Sequence, residues 1–69
     1  MFNTLKEFVE YQLNLCRNHR GANDVKELYM HNAFGAVEWE GWRTGQNMTE
    51  FWEPYREQFE KSIWGGFEV

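Results

Sequence analysis

Apolar residues recur at steps of three and four in three separate stretches of this chain, and that spacing predicts three helices. In the first stretch Leu5, Phe8, Val9, Leu13 and Cys16 share one face, with Gln12 as a single polar intrusion. Thr4-Leu5-Lys6-Glu7 has the form of a capping box, with Thr4 as N-cap and Glu7 at the third helical position. Arg17, His19 and Arg20 set basic groups toward the negative end of the helix dipole, and Gly21 can adopt the left-handed conformation that closes a helix. The first helix is expected over residues 5–20.

Gly21-Ala22-Asn23 is a short connection, and Asn23 or Asp24 can cap a second helix. Val25, Leu28, Tyr29, Ala33 and Ala36 then continue on one face, with Val37 at its edge. Gly35 lowers helix propensity, yet with Ala33 and Ala36 it forms a small-residue strip that would let a neighbouring helix approach closely. Val37-Glu38-Trp39-Glu40 also alternates as a strand does, so a short hairpin over 37–43, ended by Gly41 or Gly45, competes with the helix. The upstream period runs through this stretch and favours a helix over 24–41, ending near Glu40 or Arg43.

After the loop Thr44-Gly45-Gln46-Asn47, a start signal lies at Asn47–Glu50 or Thr49–Glu53. Met48, Phe51 or Trp52, Tyr55, Phe59 and Ile63 repeat at helical spacing from there. Proline is tolerated near a first turn, so the third helix either starts close to Glu50 or bends at Pro54. Gly65-Gly66 stops it, and Phe67 can fold back on the last turn; the expected span is 49–64. The fold expectation is all-α: one small helical domain over 1–69, a compact three-helix bundle. Its expected core is Leu5, Phe8, Val9, Leu13, Cys16, Val25, Leu28, Tyr29, Ala33, Ala36, Tyr55, Phe59 and Ile63.

Composition complicates this picture. The chain holds six Phe, four Trp and three Tyr in 69 residues, and eight of these aromatics fall between Trp39 and Phe67. A bundle this small has roughly fifteen well-buried positions, for which Leu, Ile, Val and Met compete. Some of Trp39, Trp42, Phe51, Trp52, Trp64 and Phe67 are therefore expected at the surface, where clustered aromatics mark interfaces. A thin core and surplus apolar surface also point to a possible homodimer, with the Ala33/Gly35/Ala36 strip as its contact.

Charge narrows the partner. The net charge is −4, and all of the excess lies in residues 36–69, where Glu38, Glu40, Glu50, Glu53, Glu57, Glu60 and Glu68 outnumber Arg43, Arg56 and Lys61. Phosphate neutralisation needs the opposite sign, so direct nucleic-acid binding is not expected. No apolar run reaches the roughly 18 residues of a membrane span, and the N-terminal residues do not have the pattern of a signal peptide. One cysteine fits a reducing compartment, and the expected location is cytoplasmic.

Candidate chemistry is sparse. Cys16 and His19 lie three apart, and Glu27 and His31 lie four apart, so antiparallel packing of two helices would be needed to gather them round a zinc ion. Cys16 fits the apolar stripe equally well, and His19 suits a helix C-terminus, so neither a metal nor a cofactor is expected. A Cys16–His19 dyad has no group to orient the histidine and no oxyanion site. Glu50, Glu53, Glu57 and Glu60 line one side of the third helix, which a solvated face explains without acid–base catalysis. No glycine-rich phosphate loop is present, and the chain is not expected to be an enzyme.

The strongest candidate surface joins Trp39, Trp42 and Trp52 to Glu38, Glu40, Glu50 and Glu53, although a core of large side chains is the plainer use of such rings and Trp39 or Trp52 is expected to serve there. Helical packing cannot turn three Trp and Phe51 all inward, and an exposed Trp rimmed by carboxylates suits a basic, partly apolar protein surface. The runs Asn32-Ala33-Phe34-Gly35-Ala36-Val37-Glu38-Trp39 and Phe51-Trp52-Glu53-Pro54-Tyr55-Arg56-Glu57-Gln58-Phe59-Glu60 resemble short uncharacterised proteins encoded by phages and mobile elements of Gram-positive bacteria. In size and acidity the chain is also similar to phage-encoded inhibitors of host nucleases and anti-phage defence proteins. The resemblance implies a small binding protein whose partner is a nucleic-acid-processing or defence protein. A homo-oligomeric structural or assembly protein, and a small metal-binding domain, are the alternatives.

Overall fold

The computed structural model describes residues 4–65. Three helices occupy nearly all of them: α1, Leu5–Asn18; α2, Asn23–Thr44; and α3, Thr49–Trp64. Each helix packs against both others, so the architecture is a compact all-α three-helix bundle. No strand occurs among the described residues, and 37–43 is helical throughout. The alternation at Val37-Glu38-Trp39-Glu40 has another origin: Val37 is buried while Trp39 faces solvent on the same helix.

α1 opens as its sequence dictates, with the Glu7 N–H donating to Thr4 Oγ1 at 3.1 Å. It ends at Asn18, two residues early, because His19 takes extended backbone. Gly21 does not supply a left-handed cap; among the described residues only Gly45 has positive φ. A Cβ on Gly21 would lie 2.5 Å from His19 Nε2, so this glycine makes room for an imidazole. Neither Asn23 nor Asp24 caps α2 either: Ala22 is the N-cap, with no side-chain bond, and Asp24 serves the dipole from the first turn. α2 runs on to Thr44, where the Gly45 N–H returns to the Gly41 carbonyl in left-handed backbone (φ 73°). α3 starts at Thr49, whose N–H donates to Asn47 Oδ1 at 2.8 Å, and continues through Pro54. The expected stop at Gly66 and the return of Phe67 lie outside the described residues.

The core comprises Val9, Leu13 and Cys16 from α1, Ala33 and Val37 from α2, and Trp52, Phe59 and Ile63 from α3. Leu5, Tyr29 and Tyr55 pack around it partly buried, while Phe8, Val25 and Ala36 are half-buried. Leu28 is the clear departure, 59% exposed rather than core. It lies nine residues from Val37, half a revolution away at about 100° per residue, so burying Val37 turns Leu28 outward. The small-residue strip also dissolves, since Ala33 is fully buried, Ala36 half-buried and Gly35 exposed. Gln12 is the buried polar residue, and its Oε1 has no hydrogen-bond partner among the described residues.

Polar ties fix the three helices to one another. Lys26 of α2 donates from Nζ to the Ser62 carbonyl of α3 at 3.0 Å. Tyr55 of α3 donates its hydroxyl to Glu10 of α1 at 3.1 Å, and Arg17 donates to Gln58 Oε1. Burial of residues such as Phe59 and Val9 stabilises the bundle by about 1.5–3 kcal/mol each, and these ties select how the helices sit.

Candidate functional site

α2 has 22 residues against 16 in α3, a difference of about 9 Å at ~1.5 Å per residue. The connection after α2 folds back tightly, with the Gln46 N–H donating to the Gly41 carbonyl at 3.1 Å. A Cβ on Gly41 would stand 3.0 Å from both the Gln46 carbonyl oxygen and Met48 Cγ, so the small residue permits that return. Met48 is carried into the space between α2 and α3, and an open groove of about 950 Å³ results.

The floor of the groove is apolar. Phe34 and Val37 come from α2, Met48 from the connection and Trp52 from α3. Trp52 is held there by Phe34, with ring centroids 5.2 Å apart, and by stacking on Phe59 at 5.8 Å. The rim is polar, with His31 and Glu38 on one side and Glu53, Arg56 and Glu60 on the other. Trp42 stands at the lip with 76% of its surface exposed.

Arg56 organises the α3 side. Its guanidinium donates to Glu53 Oε1 at 2.6 Å and to Glu60 Oε2 at 2.9 Å. These bonds, Glu53 first, raise the arginine's pKa above its already high ordinary value. The rim therefore carries three carboxylates against one permanent cation, an acidic balance around an apolar floor. Glu57 and Glu50 on the same helix are exposed, consistent with a solvated face.

The residues singled out from the sequence divide accordingly. Trp42, Glu38 and Glu53 line the groove together. Trp52 lines it only from below and is 6% exposed, so it belongs to the core and not to the outer surface. Trp39 stands outside the groove, 57% exposed, its ring 5.2 Å from that of Trp42. Glu40 pairs with Arg43 at 2.7 Å away from the groove, and Glu50 is exposed near the start of α3 without joining the lining. Phe51 is half-buried against Tyr55, and Trp64 is 36% exposed. Phe34, Met48 and Arg56 complete the site although sequence reasoning passed over them. The signal for Arg56 was its spacing, three after Glu53 and four before Glu60.

The four candidate metal ligands are not brought together. Cys16 is fully buried and its thiol donates to the Lys26 carbonyl at 3.8 Å. His19 meets Tyr29 edge-on at 6.0 Å, and His31 lies on the groove rim. No group of three or more His, Cys, Asp or Glu placed to hold an ion occurs among the described residues. No helix among them is long and apolar enough to cross a membrane. Compared with protein-family models, curated proteins and solved structures, the chain matches none.

Proposed function

We propose that this chain is a protein-binding module that takes an apolar-faced, basic segment of its partner into the α2–α3 groove. One observation carries the reading: an open groove of about 950 Å³ with an apolar floor, an acidic rim and the 76%-exposed Trp42 at its lip. An open trough suits a helix or extended segment laid along it better than an enclosed small molecule. The floor residues supply the apolar contact, and Trp42 closes over one side as an aromatic anchor. Glu38, with Glu53 and Glu60 oriented by Arg56, favours lysines and arginines flanking that apolar face and speeds approach at low salt. A nucleic-acid-processing or defence protein is the target class we favour, because such proteins present basic channels that an acidic, aromatic surface can occupy. Blocking such a channel would make the chain an inhibitor.

The test uses the full chain as bait in a host lysate, beside the Trp42→Ala variant. A basic partner retained by the parent chain, and bound about thirtyfold more weakly by the variant, is the expected result. Identical retention by both chains would remove the groove from the interface.

A further inference from the structure

α2 is apolar on two sides. Its inner side carries Ala33 and Val37 into the core, and its outer side carries Val25, Leu28, Asn32, Gly35, Trp39 and Trp42. The outer positions advance by alternating steps of three and four, the period of a two-helix seam. Leu28, Trp39 and Trp42 are 59%, 57% and 76% exposed, Asn32 and Gly35 are exposed, and Val25 is half-buried. A Cβ on Gly35 would meet nothing within 4 Å, so nothing inside one copy accounts for a glycine in mid-helix.

We propose that this outer face of α2 packs antiparallel on the same face of a second copy, forming a twofold dimer. The seam is complementary to its own reversal. Antiparallel pairing lays Trp39 over Leu28 of the second copy, Trp42 over its Val25, and Gly35 against its Asn32. Each layer joins a large side chain to a smaller one, or a notch to a polar group, and the twofold axis repeats every layer. A parallel alignment would oppose Trp39 to Trp39 and Trp42 to Trp42 and leave facing glycines with a void between them. Polar pairing agrees with the antiparallel register. His31 and Glu38, both exposed, flank the seam on the groove side, and the reversal sets each Glu38 beside His31 of the second copy. Area agrees as well. Trp39 and Trp42 together expose roughly 300 Å² per copy, a large share of the ~800 Å² per partner in a standard interface. A second copy on this side of α2 would cover the exposed Leu28, Trp39 and Trp42. The seam shares Trp42, His31 and Glu38 with the lip and rim of the groove, whereas Leu28 and Trp39 do not line it, so substitutions at these two residues test the seam separately from the groove reading.

Sedimentation equilibrium of the full chain and of Leu28→Ala, Trp39→Ala and the double variant tests the pairing. The parent chain is expected at twice 8.4 kDa in the micromolar range. Trp39→Ala should raise the dissociation constant about thirtyfold and Leu28→Ala about tenfold, with helical spectra unchanged because both residues are exposed. The double variant should lose little beyond Trp39→Ala alone, since the two side chains share one layer. Within a single helix they stand about 16 Å apart, too far to couple, so non-additivity reports contact between copies. A monomer persisting to about 100 µM overturns the proposal. So does a dimer that neither substitution weakens, or one in which their effects simply multiply.

Discussion

At the scale of single residues, burial in this bundle follows the partners each side chain finds. Cys16 reads as core from its place in the α1 stripe, and it is fully buried with its thiol on the Lys26 carbonyl. Gln12 occupies the same stripe, and periodicity alone buried it although its Oε1 finds no partner among the described residues. Glu10 shows what periodicity does not reveal. It is polar, on the edge of α1, yet it accepts from Lys6 at 2.7 Å and from the Tyr55 hydroxyl at 3.1 Å across to α3. The Lys6 ammonium, and after it the Tyr55 hydroxyl, hold the Glu10 carboxyl below its ordinary value of 4.5. A carboxyl with a depressed folded-state pKa contributes stability that is present above the unfolded value and lost as pH falls through the folded one. Thermal melting between about pH 6 and about pH 2 should therefore decline less steeply for Glu10→Gln than for the parent chain below pH 4.5. Parallel declines would show that this tie does not couple to folding. The contact joins residues 45 apart in the chain, which explains why only the folded geometry discloses it.

At the scale of elements, the helices were legible and their ends were less so. Three stretches of three- and four-residue spacing became three helices, because only the 3.6-residue period of a helix gathers such positions on one face. The caps differ in how much of them a side chain supplies. Thr4 caps α1 through its own side chain, a purely local bond, and was found. Ala22 and Met48 cap α2 and α3 without a side-chain bond; no local pattern announces Ala22, whereas the start of α3 is marked by Asn47, whose Oδ1 accepts from the Thr49 N–H. Strand-like alternation competes with the helical period at 37–40 because α2 carries apolar residues on opposite sides, so Val37 and Trp39 belong to different surfaces of one helix. Gly45 is the element-scale residue whose identity the backbone demands. With φ at 73° and its N–H on the Gly41 carbonyl, it ends α2 and turns the chain toward Met48. Gly45→Ala should cost about 1 kcal/mol in urea unfolding, since a Cβ is strained in left-handed backbone, and Gly45→Asn should cost less. Equal stability of all three proteins would mean the turn relaxes to another conformation.

At the scale of the whole molecule, a surplus of aromatics in a small chain was the legible signal, and their distribution between inside and outside was not. Trp39, Trp42 and Trp52 look equivalent in composition, but three different environments receive them. Trp52 lies under the groove between Phe34 and Phe59, Trp42 stands at the lip, and Trp39 faces outward along α2. Helical phase separates them: Trp52 falls seven residues before Phe59 on the inward arc of α3, whereas Trp42 lies five past Val37, well away from the inward direction of α2. The division predicts opposite outcomes for one chemical change. Trp52→Ala removes a 6%-exposed ring from the core and should cost about 3–5 kcal/mol, enough to melt much of a bundle this small at room temperature. Trp42→Ala removes a ring that is 76% exposed and should leave the helical spectrum and melting temperature of the single copy nearly unchanged. Circular dichroism melts of the two variants beside the parent chain check this directly, at concentrations low enough to keep every protein monomeric. A Trp42→Ala variant that unfolds would place Trp42 in the core and withdraw the groove's lip. A Trp52→Ala variant that melts like the parent would return Trp52 to the surface.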